Sequence, residues 1–350
     1  MEFEPATLTG LVSHYSPSGS EGAAVEWLVS RFNALGYTQF KKDSAGNAVG
    51  IMGSGPRQII LLGHIDTVPG EIPVHVVENV LYGRGTVDAK AALSCFVDAV
   101  ARTGILEGWQ LVVIGAVEEE RDSDGARYIA NQYRPDYAII GEPNRWDRIG
   151  LGYKGSAWVN LTMRKAQFHS AQADKSACES AVNLWVKAKQ FGEEYNSSRP
   201  KMFDQLHLTL QEMESGTEGF EQWARLRIGA RLPVDIPPQK WFEILSGIAA
   251  GSKVELRGYP IPAWTCEKNT AVVRALLSAI RRAGGTPSFV YKSGTADLNI
   301  VAPSWGCPAA VYGPGDSSLD HTPNECIDLG EYRKAVECLA DALMTLCKNG

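Results

Sequence analysis

Apolar residues gather into short unbroken runs along this chain, and the residues that end the runs are His, Asp and Glu. Ile59-Ile60-Leu61-Leu62 stops at Gly63 and delivers His64 and Asp66. Leu111 to Val117 is a second run and ends in Glu118-Glu119-Glu120; Tyr137 to Ile140 is a third and ends in Gly141-Glu142. Runs of this length without alternation predict strands buried on both faces of a parallel sheet. In open α/β sheets ligands sit beyond the carboxyl ends of the strands. The three runs thus predict one sheet edge crowded with acids and an imidazole.

Between the runs the period becomes helical. Ser18-Gly-Ser-Glu21 has the form of a capping box before a helix with Val25, Leu28, Val29, Phe32 and Leu35 inward, stopped by Gly36. Asn47 to Met52 predicts another strand, joined to the first run by the turn Gly53-Ser-Gly-Pro56. Leu93, Phe96, Val97 and Val100 mark a helix after Lys90 that Gly104 ends. Asp88 lies just before its N-terminus, where N–H groups favour a carboxylate. Gly125 to Gln132 predicts a short helix.

From Ser156 the pattern alternates. Ser156 to Arg164, Leu206 to Met213, Trp223 to Arg231 and Lys253 to Tyr259 predict strands; Cys178 to Tyr195 and Gln239 to Ile248 predict helices. The order β-α-β-β-α-β is the ferredoxin-like arrangement, which forms a compact unit alone. Residues 153–262 are therefore expected as a separate α+β domain inserted into an α/β domain made of residues 1–152 and 263–350. α/β patterning resumes with a helix after Asn269, strands at Phe289 to Tyr291 and Ala309 to Tyr312, and a last helix capped by Asp328 with Glu331 at its third position.

A length of 350 residues suits one large domain plus a smaller one. The net charge of −6 and the absence of a Lys/Arg cluster argue against a nucleic-acid partner. No apolar stretch approaches membrane-spanning length, and the first residues lack the form of a secretory signal. The seven cysteines are scattered without a C-x-x-C pair. They read as reduced thiols of a cytoplasmic protein.

Taken singly, each acid at the sheet edge is an ordinary solvated turn residue. Taken together with His64, Asp66, Asp88 and His321 they are not. Two carboxylates 4 Å apart repel by about 4 kcal/mol at an effective dielectric of 20, which only protonation or a cation offsets. Two imidazoles, several carboxylates and no thiolate suit Zn²⁺ first, with Co²⁺ or Mn²⁺ as substitutes. Five ligands with one carboxylate shared fit two ions, which together activate a water and polarise a carbonyl. A further carboxylate must then accept the water's proton.

The segments H64-I-D66-T-V-P, Y-G-R-G-T-V-D88-A-K, E118-E-E120, G141-E142-P and D320-H321-T-P resemble, in order and across nearly the whole chain, the signatures of the dinuclear zinc metallopeptidases that include succinyl-diaminopimelate desuccinylase, acetylornithine deacetylase and glutamate carboxypeptidase. The resemblance implies that His64 and Glu142 bind one zinc, Glu120 and His321 the other, and that Asp88 bridges them. It implies Glu119 as general base and Asp66 as the residue orienting His64. Glu118 receives no direct role. In F-H-S-A, His169 matches a histidine that stabilises the oxyanion in relatives, although Phe168 stands where they have Gly. Arg231 in R-L-P matches an arginine that holds a substrate carboxylate. The inserted domain would act as a lid and, by analogy, as the homodimer contact.

Within that family the run from Tyr312 to Glu325 and S293-G-T-A-D-L-N299 are most similar to hydrolases that release lysine or ornithine from an amino-group carrier protein. Gly294 and Thr295 would then contact substrate. This group implies cleavage of the amide between the lysine α-amino group and the γ-carboxyl of the terminal glutamate of a small acidic carrier, in lysine or arginine biosynthesis. The predicted lid has 14 Lys/Arg against 12 Asp/Glu, a net of +2, leaving −8 elsewhere from a total of −6. Arg225, Arg227 and Arg231 share one strand face, so an acidic partner would be favoured there. A purely solvated face is the competing reading.

The alternatives are a deacylase of a free N-acyl amino acid (N-acetylornithine, N-acetyl-lysine or N-succinyl-diaminopimelate), a dipeptidase, and a metal-free binding protein, which would be expected to have lost a ligand or the base. Gly150-x-Gly-x-x-Gly155 precedes an alternating stretch and predicts no dinucleotide site. G-x-S-x-G and H-E-x-x-H are absent.

Overall fold

The computed structural model describes residues 5–167 and 174–349. The fold is mixed α/β with an inserted lid. It divides into two compact units, one of residues 1–152, 266–291 and 296–350, the other of residues 153–265 and 292–295.

The larger unit is built on a sheet ordered Gln39–Lys42, Ala48–Gly53, Trp109–Ala116, Arg57–His64, Tyr137–Gly141, Ala309–Val311 and Arg148–Tyr153, with Ser288–Lys292 also pairing with Arg148–Tyr153. The four middle strands, from Trp109–Ala116 to Ala309–Val311, run parallel. Ile59, Ile60, Leu61 and Leu62 are fully buried, as a central strand covered on both faces requires. Register decides where the polar ends fall. His64 lies opposite Ala116, and Gly63 lies opposite both Gly115 and Gly141. The residues following each strand, Glu118 to Glu120 and Glu142, therefore emerge at the same edge as His64.

Helices Gly22–Ala34, Lys90–Thr103, Ala271–Arg282 and Leu329–Asn349 contribute to one hydrophobic core through Leu28, Phe96, Leu276 and Leu343 among others. Their ends follow from local chemistry. Gly104, at φ 71°, ends Lys90–Thr103. Thr270 caps Ala271–Arg282 through the Val273 N–H, and Asp328 Oδ1 accepts the Glu331 N–H at 2.7 Å. The capping box expected at Ser18 does not form. The helix starts at Gly22 without a side-chain cap, and Ser18 Oγ instead donates to Asp66 Oδ2 at 2.7 Å. The helix begins three residues later than the capping box requires, with Glu21 rather than Ser18 at its N-cap position.

In the smaller unit, strands Gly155–Ala166, His207–Glu218, Glu221–Leu232 and Lys253–Ile261 form a sheet in which His207–Glu218 and Lys253–Ile261 are the edges. All neighbours are antiparallel. Helices Ala177–Asn196 and Pro238–Ile248 join it in a separate core around Trp241, Leu245, Leu161 and Ile228. Ser176 and Glu179 form a true capping box on the longer helix. The arginines of strand Glu221–Leu232 are matched across the sheet: Arg225 pairs with Glu214 at 3.4 Å and Arg227 with Glu212 at 2.6 Å, each directly opposite in register. That face is an ion-pair ladder, as the solvated-face reading has it.

Candidate metal centre and active site

His64 ends its strand and is fixed before any ion is considered. Its Nδ1 lies 3.0 Å from the Asp66 carbonyl and 3.4 Å from Asp66 Oδ1, and its Nε2 lies 3.2 Å from Asp88 Oδ1. Asp66 is fully buried. Its Oδ1 accepts the Glu119 N–H and its Oδ2 the Glu120 N–H, each at 3.1 Å. Burial would raise the Asp66 pKa, but the bonds from His64, Ser18 and the backbone outweigh burial and hold it below the ordinary carboxylate range. One carboxylate thus orients an imidazole and fixes the backbone of two neighbouring glutamates, the arrangement expected around a metal-bound histidine. Asp66→Ala is expected to weaken divalent-metal binding about 10- to 100-fold. Calorimetric titration of metal-stripped protein checks this; wild-type affinity would remove Asp66 from the role.

Asp88 lies between two imidazoles. Its Oδ2 is 3.1 Å from His321 Nε2, which is also 2.9 Å from Glu120 Oε1. Burial opposes the Asp88 charge, yet the two histidines hold its pKa far below normal. Ligand atoms of His64, Asp88 and Glu120 lie within 4.8 Å of one another. Glu142 follows strand Tyr137–Gly141 and is buried. Burial, then Asp88 and Asp297, push its pKa well above the usual value, outweighing the opposing pull of His64. Glu119 is raised for the same reason, burial first, then Glu142, Asp297 and Glu120, against His64.

The His321 loop is held from behind. Arg145 pairs with Asp316 at 2.7 Å and with Glu331 at 2.9 Å, while Glu331 Oε1 accepts the Gly315 N–H. His321 itself adopts φ 60°. Its pKa rises to about 10 through its bonds to Asp88 and Glu120. Glu118 turns away to Arg121 at 2.5 Å, in keeping with its lack of an assigned role.

Asp297 was not among the expected site residues. It is buried, with His64, Ser123 and Arg127 as the groups that favour its charge. Burial foremost, with Asp66 adding to it, raises its pKa to about 7. Acids this crowded, with oxygen and imidazole nitrogen as the only donors, fit hard-to-borderline divalent cations, whose charge relieves the repulsion.

Of the expected substrate contacts, Arg231, Gly294 and Thr295 belong to the smaller unit, where Arg231 Nη1 donates to Thr295 Oγ1 at 3.4 Å. His169 lies outside the described residues. Gly150 to Gly155 spans strand Arg148–Tyr153 and the start of Gly155–Ala166, with no helix for a dinucleotide.

Peptidase family M20/M25/M40 matches residues 60–345. The chain belongs to that family. A Deinococcus radiodurans protein named "[LysW]-lysine hydrolase" is 43% identical over 344 residues, covering 96% of this chain and 94% of that protein. Among solved structures, an M20 family metallo-carboxypeptidase from Sulfolobus solfataricus superposes with a TM-score of 0.77 at 18% identity, covering 99% of this chain and 100% of the other. A Staphylococcus aureus tripeptidase gives 0.79 at 20% identity, covering 98% and 97%. These two likenesses concern the fold, including the inserted lid.

Proposed function

We propose that this M20/M25/M40 member is a metal-dependent amide hydrolase that releases lysine or ornithine from the γ-carboxyl of the C-terminal glutamate of an amino-group carrier protein. One observation carries the substrate reading: the 43% identity, over 96% of the chain, to a protein named for hydrolysis of [LysW]-lysine. His64 and Glu142 would hold one divalent ion, Zn²⁺ or Co²⁺, and Glu120 and His321 a second, with Asp88 shared. When bound, such a pair lowers the pKa of a water and polarises the scissile carbonyl.

The chain's own residues do the rest. Glu119 accepts the water's proton and returns it to the leaving α-amino nitrogen; burial raises its pKa above the ordinary carboxylate value, which strengthens it as a base. Asp66 keeps His64 and the Glu119 backbone in place. Arg231 would hold the substrate carboxylate, Gly294 and Thr295 would contact the substrate through their backbone, and His169 would stabilise the oxyanion. The lid would also carry the homodimer contact, a role that exposed Val182 and Val186 on its long helix support. Seven unpaired cysteines suit a reducing cytoplasm. Among the described residues no helix is long and apolar enough to cross a membrane.

An acidic carrier finds its best support away from the arginine ladder. A lid cleft of about 420 Å³ is lined by Lys165, Lys175 and Lys187 and by Arg164, whose charge is already matched by Glu218 and Glu221. The deciding assay offers the metal-loaded enzyme carrier-linked lysine beside N-acetylornithine, N-acetyl-lysine, N-succinyl-diaminopimelate and dipeptides, with released amino acids detected by mass spectrometry. Lysine is expected from the carrier-linked substrate, and chelation should stop its release. Equal turnover of a free acyl amino acid would instead make the enzyme a small-molecule deacylase. Lys175→Glu with Lys187→Glu is expected to raise KM for the carrier-linked substrate about five- to thirtyfold, taking up to ~1 kcal/mol per exposed charge. An unchanged KM would remove the cleft from carrier binding.

A further inference from the structure

Two of the residues read as metal ligands, Asp88 and His321, come from loops far apart in sequence, and a single buried side chain joins the loops. Glu325, four residues beyond His321, is fully buried. Its Oε1 accepts the backbone N–H of Val87 at 2.8 Å and of Asp88 itself at 2.9 Å. Its Oε2 pairs with Arg84 Nη1 at 2.9 Å. Arg84 is buried as well and reaches onward from Nε to the Gly70 carbonyl at 2.8 Å. The Glu325 carbonyl accepts the Gly83 N–H at 3.4 Å. Both oxygens of one carboxylate are thus spent on the segment that delivers Asp88.

That segment has little freedom to take another path. A Cβ at Gly83, where φ is 156°, would come within 2.5 Å of a Val12 methyl, and one at Gly85, where φ is 87°, within 2.9 Å of the Lys90 side chain. Without the Glu325 carboxylate, two N–H groups would be left buried and unpaired and the Arg84 guanidinium, though still bonded to the Gly70 carbonyl, would lose its counter-charge, which a folded chain relieves by moving the loop. Asp88 would move with it, away from His64 and His321.

We propose that Glu325 is a positioning residue that locks the Asp88 and His321 loops together, so that high affinity for the divalent ions depends on it although it touches neither ion. This rests on reading Asp88 and His321 as ligands. The test uses the metal-stripped full chain with Zn²⁺ followed by calorimetry and Co²⁺ followed by visible absorption. Glu325→Gln keeps the size and an acceptor for the N–H groups but removes the charge opposite Arg84. It is expected to bind both metals about 10- to 100-fold more weakly, with an altered cobalt spectrum, and to show a kcat loss that excess metal restores at unchanged KM. Adding Arg84→Met to Glu325→Gln removes the stranded cation and should recover part of the affinity.

Leu343→Ala, in the fully buried core of the C-terminal helix, serves as the control for simple destabilisation and should leave metal affinity unchanged. Wild-type affinity in Glu325→Gln, or an equal loss in Leu343→Ala, would overturn the proposal. Asp88→Asn separates it from the reading beneath: if that variant keeps both ions, the ligand assignment itself fails; if it loses them while Glu325→Gln does not, only the role of Glu325 falls.

Discussion

Glu119→Gln is expected to lower kcat by about 10²- to 10⁴-fold, the range over which a positioned general base contributes, with metal content and folding unchanged. The substitution is isosteric and removes only the capacity to take a proton. Two observations make the outcome specific. The Glu119 backbone is held independently of its side chain by the bond from its N–H to Asp66 Oδ1, so the glutamine should occupy the same place. The ligand atoms clustered around Asp88 come from His64, Glu120 and His321, so metal uptake should not need Glu119. Measuring kcat beside metal stoichiometry checks both halves. Near wild-type turnover would remove Glu119 as the base, and loss of metal would make it a ligand.

The second large effect concerns the lid. Trp241, in helix Pro238–Ile248, is fully buried in the lid's own core. Trp241→Ala is expected to destabilise that unit by about 3–5 kcal/mol, the usual cost of emptying a large aromatic site. Among the described residues its buried Nε1 has no hydrogen-bond partner, so Trp241→Phe discards a donor of little value with the lost volume and should cost less than about 2 kcal/mol. Amide hydrogen exchange reports each region separately. Faster exchange should be concentrated in the lid strands in the alanine variant, with strand Arg57–His64 still protected. Uniform loss of protection would show that the two units unfold together, and no loss would mean that Trp241 carries little of the lid's stability.

What the sequence revealed and what it hid have physical causes. Strand Arg57–His64 was legible because a strand buried on both faces must be apolar throughout, and the lid because strict alternation and helical period trade places four times. Ser18 to Glu21 misled because the same letters satisfy a helix cap or a distant carboxylate, and only the tertiary fold brings Asp66 within reach. Helix Asp297–Trp305 escaped notice because Pro303 interrupts it and most of its residues are buried, so that no polar stripe marks its period. The positive face around Arg225 and Arg227 could not be judged from one strand, since Glu212 and Glu214 lie on its neighbour. Asp297 and Glu325 were missed for a related reason. Each lies inside a segment that carries the family resemblance, but nothing local separates a buried organising acid from a surface one.

Strand Ala309–Val311 lies between Tyr137–Gly141 and Arg148–Tyr153 in the sheet, although it is synthesised long after both. On the ribosome the two earlier strands must wait with open backbone edges while more than 150 residues are added, on the order of ten to thirty seconds at typical elongation rates. Such edges invite pairing with other chains. Overproduction of this protein should therefore reward slower synthesis or chaperone supply, with the yield of soluble material set by how long that gap stays unfilled.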